Sequence, residues 1–467
     1  MRLVPILLLS AVLAVSFTMP LQAKHREGVS DVRQYELDNG MKILVKEDHR
    51  APVVVSQVWY KVGSSYEHNG ITGVSHVLEH MMFKGTKTLG PNEFSKIIAA
   101  NGGRENAFTG KDYTAYFQRL HKDRLEVSMR LEADRMHNLT LRQEDFEKEV
   151  NVVKEERRLR TEDKPTSLTY EQFIATAFQS SPYHHPIIGW MEDLDSMQLE
   201  DLQAWYERWY SPSNATLVIV GDVKADQVYR MAKKHFGPIP GSVVKPLKPQ
   251  RETKQRGERR LKVRAQAEVP YLLMGYKVPV LLTAKDSNDV YALEVLAGVL
   301  DGGSSARLAK ELVRGKQIAV SAGAGYDMYD RINNLFLFDG RPATGHSIEE
   351  LEKELREQVQ RLHTTLATQA ELDRIKAQVV ASKVYELDSV FYQGMQIGTL
   401  ETVGLNHSQL DEYVNRIRAV TPEQVQAVAK KYLIDEGLTV AILEPENAKK
   451  QVKEKMLKNN SGADNAK

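Results

Sequence analysis

The chain has 467 residues, 42% hydrophobic and 27% charged, with 63 Lys plus Arg against 62 Asp plus Glu and no cysteine. That is globular composition, enough for about two to four domains, and it excludes a disordered, collagen-like or disulfide-stapled chain. A net charge of +1 makes no electrostatic case for nucleic acid, and the missing thiols exclude cysteine nucleophiles, zinc ribbons and iron–sulfur clusters.

Met1 and Arg2 form a short positive start, Leu3 to Phe17 is uncharged and mostly apolar, and Leu21-Gln22-Ala23 precedes the charged run from Lys24. This pattern predicts a signal peptide over 1–23 and export to the periplasm. The alternative is an uncleaved anchor facing the periplasm. The apolar run is short for ~30 Å of hydrocarbon and no later stretch is apolar enough to span, so no stable membrane insertion is expected after cleavage.

Alternating residues on both sides of Asp38-Asn39-Gly40 predict a hairpin. Val53 to Val62 reads as a strand rich in β-branched and aromatic residues. Helical patterns cover Gly73 to about Ala100, strand character returns over Asn106 to Leu120, and helices are predicted over 123–136 and 143–160. Ala215 to Val220 reads as a buried strand. Prolines, glycines and lysines between 237 and 258 mark a linker.

An internal repeat supports a boundary there. Shifted by 223 residues, Thr216-Leu217-Val218-Ile219-Val220 lies over Thr439-Val440-Ala441-Ile442-Leu443, and Trp209 lies over Tyr432. At a shift of 216, Tyr60-Lys61-Val62 echoes Tyr276-Lys277-Val278. The expected fold is α+β: two duplicated α/β-sandwich domains, each a mainly antiparallel sheet packed with helices. The first would occupy 24–240, a linker 241–260, the second 261–447, and a polar tail 448–467.

The stretch that carries chemistry is His76-Val77-Leu78-Glu79-His80. On a helix, His76, Glu79 and His80 share one face. Two imidazoles at i and i+4 can hold one zinc ion, and the carboxylate between them is placed to take a proton from an attacking water rather than to ligate. This is the inverzincin order. A third protein ligand is needed. Glu149 and Glu156 lie two turns apart on one helix face, separated by about 10 Å along the axis, so one would ligate and the other would orient a histidine.

These motifs, together with Glu149-Val150-Asn151-x-Val153-x-x-Glu156 and Tyr210-Ser211-Pro212-Ser213-Asn214, resemble the pitrilysin family of zinc metallopeptidases, to which the mitochondrial processing peptidase belongs. The resemblance spans nearly all the chain after 23. It implies that His76, His80 and Glu156 bind one Zn²⁺ per chain, that Glu79 is the general base and that Glu149 is the supporting carboxylate. It also implies that Glu105 to Thr109 is an edge strand on which Asn106, Ala107 and Phe108 contact an extended peptide substrate. An unpaired strand edge binds any peptide backbone without strict sequence demand.

One departure stands out. Catalytically complete members carry an Arg and a Tyr seven residues apart in a second-half domain. Aligned on Arg307-Leu308 and Ala319, those slots hold Val313 and Val320, and neither valine has a donor to stabilise an oxyanion. Arg314 is one residue away, a rotation of about 100° on a helix. The resemblance therefore implies the zinc subunit of a heterodimer whose homologous partner supplies the Arg/Tyr pair; a homodimer is the alternative. Other rivals are a non-catalytic scaffold subunit, a narrow-specificity processing peptidase, and a small-molecule lyase. The intact His motif opposes the first, and the chain length and missing cysteine oppose the last.

Overall fold

The computed structural model describes residues 31–446, so the expected signal peptide over 1–23 and the polar tail over 448–467 lie outside the described residues. The first half begins with β1 (Val32–Glu36), β2 (Lys42–Glu47) and β3 (Val53–Tyr60). The first two strands form the antiparallel hairpin expected around Asn39-Gly40, and Gly40 supplies the positive φ of 85° at its turn. Two helices follow, α1 (Val74–Met81) and α2 (Glu93–Ala100), within the stretch where helical patterns are expected. Gly85, at φ 108°, and Gly90-Pro91 break it.

The strand expected over 106–120 is a hairpin, β4 (Arg104–Thr109) and β5 (Thr114–His121). Gly110 reverses the chain, its N–H donating to the Tyr113 carbonyl at 2.8 Å. Next come α3 (Leu125–Asn138) and α4 (Gln143–Arg157), which continues as a π-helical turn over Arg158–Glu162. Then follow α5 (Pro165–Ala177), α6 (Met191–Ser196), α7 (Leu199–Trp209), β6 (Ala215–Gly221) and α8 (Ala225–Phe236). Residues 241–258 contain no helix or strand. The second half runs β7 (Arg259–Ala265), β8 (Tyr271–Val278), α9 (Ser287–Asp301), β9 (Ala319–Gly325) and β10 (Asn334–Pro342). It ends with α10 (Ile348–Thr364), α11 (Gln369–Glu386), α12 (Val390–Val403), α13 (Gln409–Ala419), α14 (Pro422–Tyr432) and β11 (Leu438–Pro445). No helix among the described residues is long and apolar enough to cross a membrane.

The strands make two sheets, ordered β1-β2-β6-β3-β5-β4 and β7-β11-β8-β10-β9. Each is antiparallel except for one parallel pair, β2 with β6 and β7 with β11. The repeat is visible in the register. Tyr60 pairs with Ala215 in the first sheet, and their repeat equivalents Tyr276 and Leu438 pair in the second.

Each sheet buries one face under its own half's helices. Ile43, Val58, Leu217 and Ile219 point to the first core, and Leu272, Met274, Val440 and Ile442 point to the second. The alternate residues on the opposite faces are covered by an exchange of equivalent helices. From the second half, α12 lays Ile397 and Leu400 on Leu44, Trp59, Val218 and Val220. From the first half, α5 lays Phe173, Ile174 and Ala177 on Leu273, Leu335 and Ala441. The approach of α12 is close: a Cβ on Gly398 would stand 2.0 Å from Trp59. At ~25 cal/mol per Å² of apolar area removed from water, this mutual covering makes the stability of each half depend on the other.

A polar contact pins the halves together as well. The buried Asp112 carboxylate, in the β4–β5 turn, accepts from the Arg331 Nε at 3.0 Å, the Ser65 hydroxyl at 2.6 Å, and the Tyr183 hydroxyl. Arg331 belongs to the second half, just before β10.

Candidate metal and peptide-binding site

Helix α1 begins at Gly73, whose φ of 88° lies in the left-handed region and whose added Cβ would stand 2.6 Å from the Ile188 carbonyl oxygen. Glycine is required there. The buried Glu67 carboxylate accepts from the N–H groups of Gly73 at 2.8 Å and Ser75 at 2.9 Å, satisfying two of the donors a helix start leaves free. Burial nevertheless pushes the Glu67 carboxyl up to about 7. Val74, Val77, Leu78 and Met81 face the first core, and that anchoring turns His76, Glu79 and His80 outward, toward α4.

Helix α4 meets this face with its two glutamates on either side of the His80 ring. Glu149 Oε2 lies 3.2 Å from His80 Nδ1, and Lys84 Nζ lies 2.5 Å from Glu149 Oε1. Two turns on, Glu156 Oε2 lies 3.4 Å from His80 Nε2 and 3.8 Å from His76 Nε2. The other Glu156 oxygen is held by Arg160 at 2.6 Å, a residue aimed by the π-helical turn. The division between a ligand and a supporting carboxylate, left open by the 10 Å spacing, is drawn here by geometry.

Ligand atoms of His76, His80 and Glu156 all lie within 4.8 Å of one another. Two ligands about 2.0–2.1 Å from one ion at a tetrahedral angle stand roughly 3.3–3.4 Å apart. The 3.4 and 3.8 Å separations exceed ordinary hydrogen bonds and fit such a trio. Burial lowers the His76 imidazole to about 3, helped by neighbouring His80 and Arg160, so it is held in the neutral form that ligates. His76 Nδ1 is buried without a hydrogen-bond partner, whereas His80 Nδ1 has Glu149. The donor set of two imidazoles and a carboxylate, leaving a fourth position open, suits a catalytic zinc ion.

Glu79 lies beside the trio, forming no hydrogen bond or ion pair with it but feeling the charge of His80 and Glu156. Its Oε2 accepts from the Thr109 hydroxyl at 2.5 Å, which ties the base to the end of β4. Burial raises the Glu79 carboxyl above its ordinary value, opposed by the Thr109 bond and by His80. The trio, Glu79, Asn106, Ala107, Phe108 and Thr109 all line one cleft of about 860 Å³. Among the described residues, strand β4 is the edge of its sheet, paired only with β5. The Asn106 side chain accepts from the Ala107 N–H at 2.9 Å, so a peptide strand using that N–H must displace it.

Thr109, Lys84 and Lys111 are site residues that sequence patterning does not single out, because each acts across a tertiary contact. Val313 and Val320 do not line the cleft. From the second half, it is Tyr271 and Arg341 that do.

Residues 42–190 match the family model "Insulinase (Peptidase family M16)" and residues 196–379 match "Peptidase M16 inactive domain". The chain is 34% identical over 423 residues to the zinc protease PqqE of Helicobacter pylori, covering 88% of this chain and 92% of that protein. The chain belongs to peptidase family M16. Among solved structures, the M16 fold seen here superposes on a protease from Helicobacter pylori with a TM-score of 0.84 at 32% identity, covering 89% of this chain and 99% of that one. The periplasmic protease PqqL from Escherichia coli gives 0.75 at 16% identity, a likeness of fold that covers 90% of this chain and 48% of PqqL. M16 is the pitrilysin family expected from the motifs.

Proposed function

We propose that the protein is a zinc-dependent endopeptidase, with one ion per chain, that hydrolyses peptides or unfolded segments held as an added strand on β4. The observation that carries this reading is the convergence of His76, His80 and Glu156 beside Glu79 in a cleft bordered by a sheet edge. Zinc bound to the trio supplies Lewis acidity toward the scissile carbonyl and the attacking water. The rest belongs to the chain. The β4 edge aligns the peptide backbone, which converts a bimolecular encounter into an oriented one. Glu79, steadied through Oε2 by Thr109, takes the water proton on its other oxygen and hands it to the leaving amine nitrogen. Glu149 accepts from His80 Nδ1 and so presents Nε2 as the ligating atom.

The valines at 313 and 320 support a second reading layered on the first: full activity needs a homologous subunit that supplies the Arg/Tyr pair. That this chain matches about half the length of PqqL is consistent with two such units acting together. The pattern over 1–23 supports export to the periplasm as part of the same proposal.

The test is zinc content and peptide cleavage in Glu79→Gln, assayed alone and with a homologous M16 subunit. Glu79→Gln is expected to retain zinc and to lose about 10²–10⁴-fold in turnover, while His80→Ala loses the zinc. Comparable cleavage by wild type and Glu79→Gln would reject Glu79 as the base. Full activity of the chain alone would reject the need for a partner.

A further inference from the structure

The cleft is lined by three cations, Lys111, Arg160 and Arg341, and three carboxylates, Glu79, Glu156 and Glu171. Its carboxylates are engaged: Glu156 with Arg160 at 2.6 Å, Glu171 with Arg157 at 2.7 Å, and Glu79 with Thr109 at 2.5 Å. Two cations of the lining are not. The Lys111 ammonium, in the β4–β5 turn, sits 4.6 Å from the centre of the Tyr183 ring and forms no contact ion pair among the described residues, its charge acting through space on the buried Asp330 carboxylate. Arg341, at the end of β10, stacks its guanidinium 4.9 Å from the centre of the Tyr271 ring and likewise has no ion pair or hydrogen bond among the described residues.

Arg341 is also built into place. The register that pairs Gly340 with Leu272 brings it beside Tyr271, and β10 slips against β9 between Arg341 and Pro342. A bulge of that kind re-aims a side chain, a device common beside active sites. Asp339, on the same strand, interacts with the Tyr271 hydroxyl and acts on Arg341 through space, without an ion pair. A half-buried guanidinium, stacked on an aromatic ring with its donors free, is the arrangement that takes a planar carboxylate in a two-point grip.

We infer that Arg341 is an anion subsite of the peptide cleft, reinforced by the positive potential of Lys111, and that it selects peptides by a carboxylate. This rests on the peptidase reading and adds the substrate class to it. The carboxylate belongs either to an acidic side chain near the scissile bond or to the free C-terminus of a short peptide. A cleft of about 860 Å³ encloses a drug-sized ligand, that is, a few residues.

The experiment uses the full zinc-loaded chain and quenched peptides of one sequence. One series carries Glu or Gln at each position flanking the scissile bond, and a second carries a free or amidated C-terminus. Wild type is expected to favour the carboxylate form by about 10- to 100-fold in kcat/KM, as for a charge-assisted hydrogen bond. A preference in the first series identifies a side chain, and one in the second identifies the terminus. Arg341→Ala collapses that ratio toward one, Arg341→Lys keeps part of it, and Lys111→Met lowers it less. Arg341→Gln replaces the alanine variant if the latter melts early. A wild-type ratio of one in both series, or a ratio that survives in Arg341→Ala, overturns the inference. Binding of the same peptides to Glu79→Gln, read by fluorescence anisotropy, separates the two ideas. Carboxylate-dependent binding without any wild-type cleavage, with a homologous M16 subunit added as well as without it, rejects the peptidase reading and retains the subsite. Binding that ignores the carboxylate rejects the subsite whatever the turnover.

Discussion

Replacing Glu149 by Gln probes the metal site without removing a ligand. Glu149 Oε2 lies 3.2 Å from His80 Nδ1, and its Oε1 lies 2.5 Å from Lys84 Nζ, with side-chain exposures of 11% for Glu149 and 22% for Lys84. Gln preserves the volume, yet offers one accepting oxygen in place of two and no charge. Loss of the carboxylate that orients a ligating histidine lowers metal affinity by about 10–100-fold, or about 1.4–2.7 kcal/mol. The Lys84 ammonium left without its counter-ion costs the fold a further ~1–3 kcal/mol. The assay is a zinc titration in competition with a chromophoric chelator, run beside thermal melts with and without zinc. The expected result is a Kd raised 10- to 100-fold and a lower melting temperature even without zinc. Lys84→Met separates the two effects, because it leaves Glu149 on His80: stability falls and zinc affinity stays near wild type. Wild-type zinc affinity in Glu149→Gln, or equal losses in both variants, would refute the assignment of Glu149 as the residue that orients His80.

Thr109→Val removes the hydroxyl that donates to Glu79 while keeping the shape of β4; kcat should fall about 10-fold with KM nearly unchanged, as for an interaction that matters most in the transition state, and a change confined to KM would contradict this. Glu67, buried at the start of α1, has its carboxyl raised from 4.5 to about 7. A carboxyl raised in the folded state stabilises fully below the unfolded value and loses that contribution as pH climbs from about 4.5 to 7, a total of about 3 kcal/mol. Denaturant melts across that window should show this decline, and Glu67→Gln should flatten it. Arg331→Ala strips Asp112 of its cation at the junction of the halves, at a cost of about 3–5 kcal/mol. The Asp112→Asn/Arg331→Ala double variant should lose much less than the sum of the two single losses, and strict additivity in melting experiments would show that the pair does not act as a unit.

Local patterning alone determined a good part of this protein. Alternation of apolar residues on both sides of Asn39-Gly40 settled the first hairpin, because side chains on a strand point to opposite faces with a period of two. The three- and four-residue spacing placed His76, Glu79 and His80 on one side of a helix. The copy of Tyr60-Lys61-Val62 at 276–278 announced a second sheet of the same design. All of these rest on geometry within a few residues, which the backbone imposes wherever the segment lies. The turn at Gly110 was less legible, since strand character continues on both sides of it.

Only the tertiary structure decided which distant surfaces meet. The seat of α12 on the first sheet depends on the match of Gly394 and Gly398 to Gln57 and Trp59, residues more than 300 positions apart, for which no local period exists. The same holds in the cleft. His80 stands between Glu149 and Glu156 because α1 packs across α4, Thr109 reaches Glu79 because β4 ends beside that helix, and Arg341 enters because α5, laid on the second sheet, shares the cleft with the end of β10. A sequence states what each face can bury or donate; long-range packing chooses its counterpart, because that choice depends on the summed fit of many contacts rather than on any one segment.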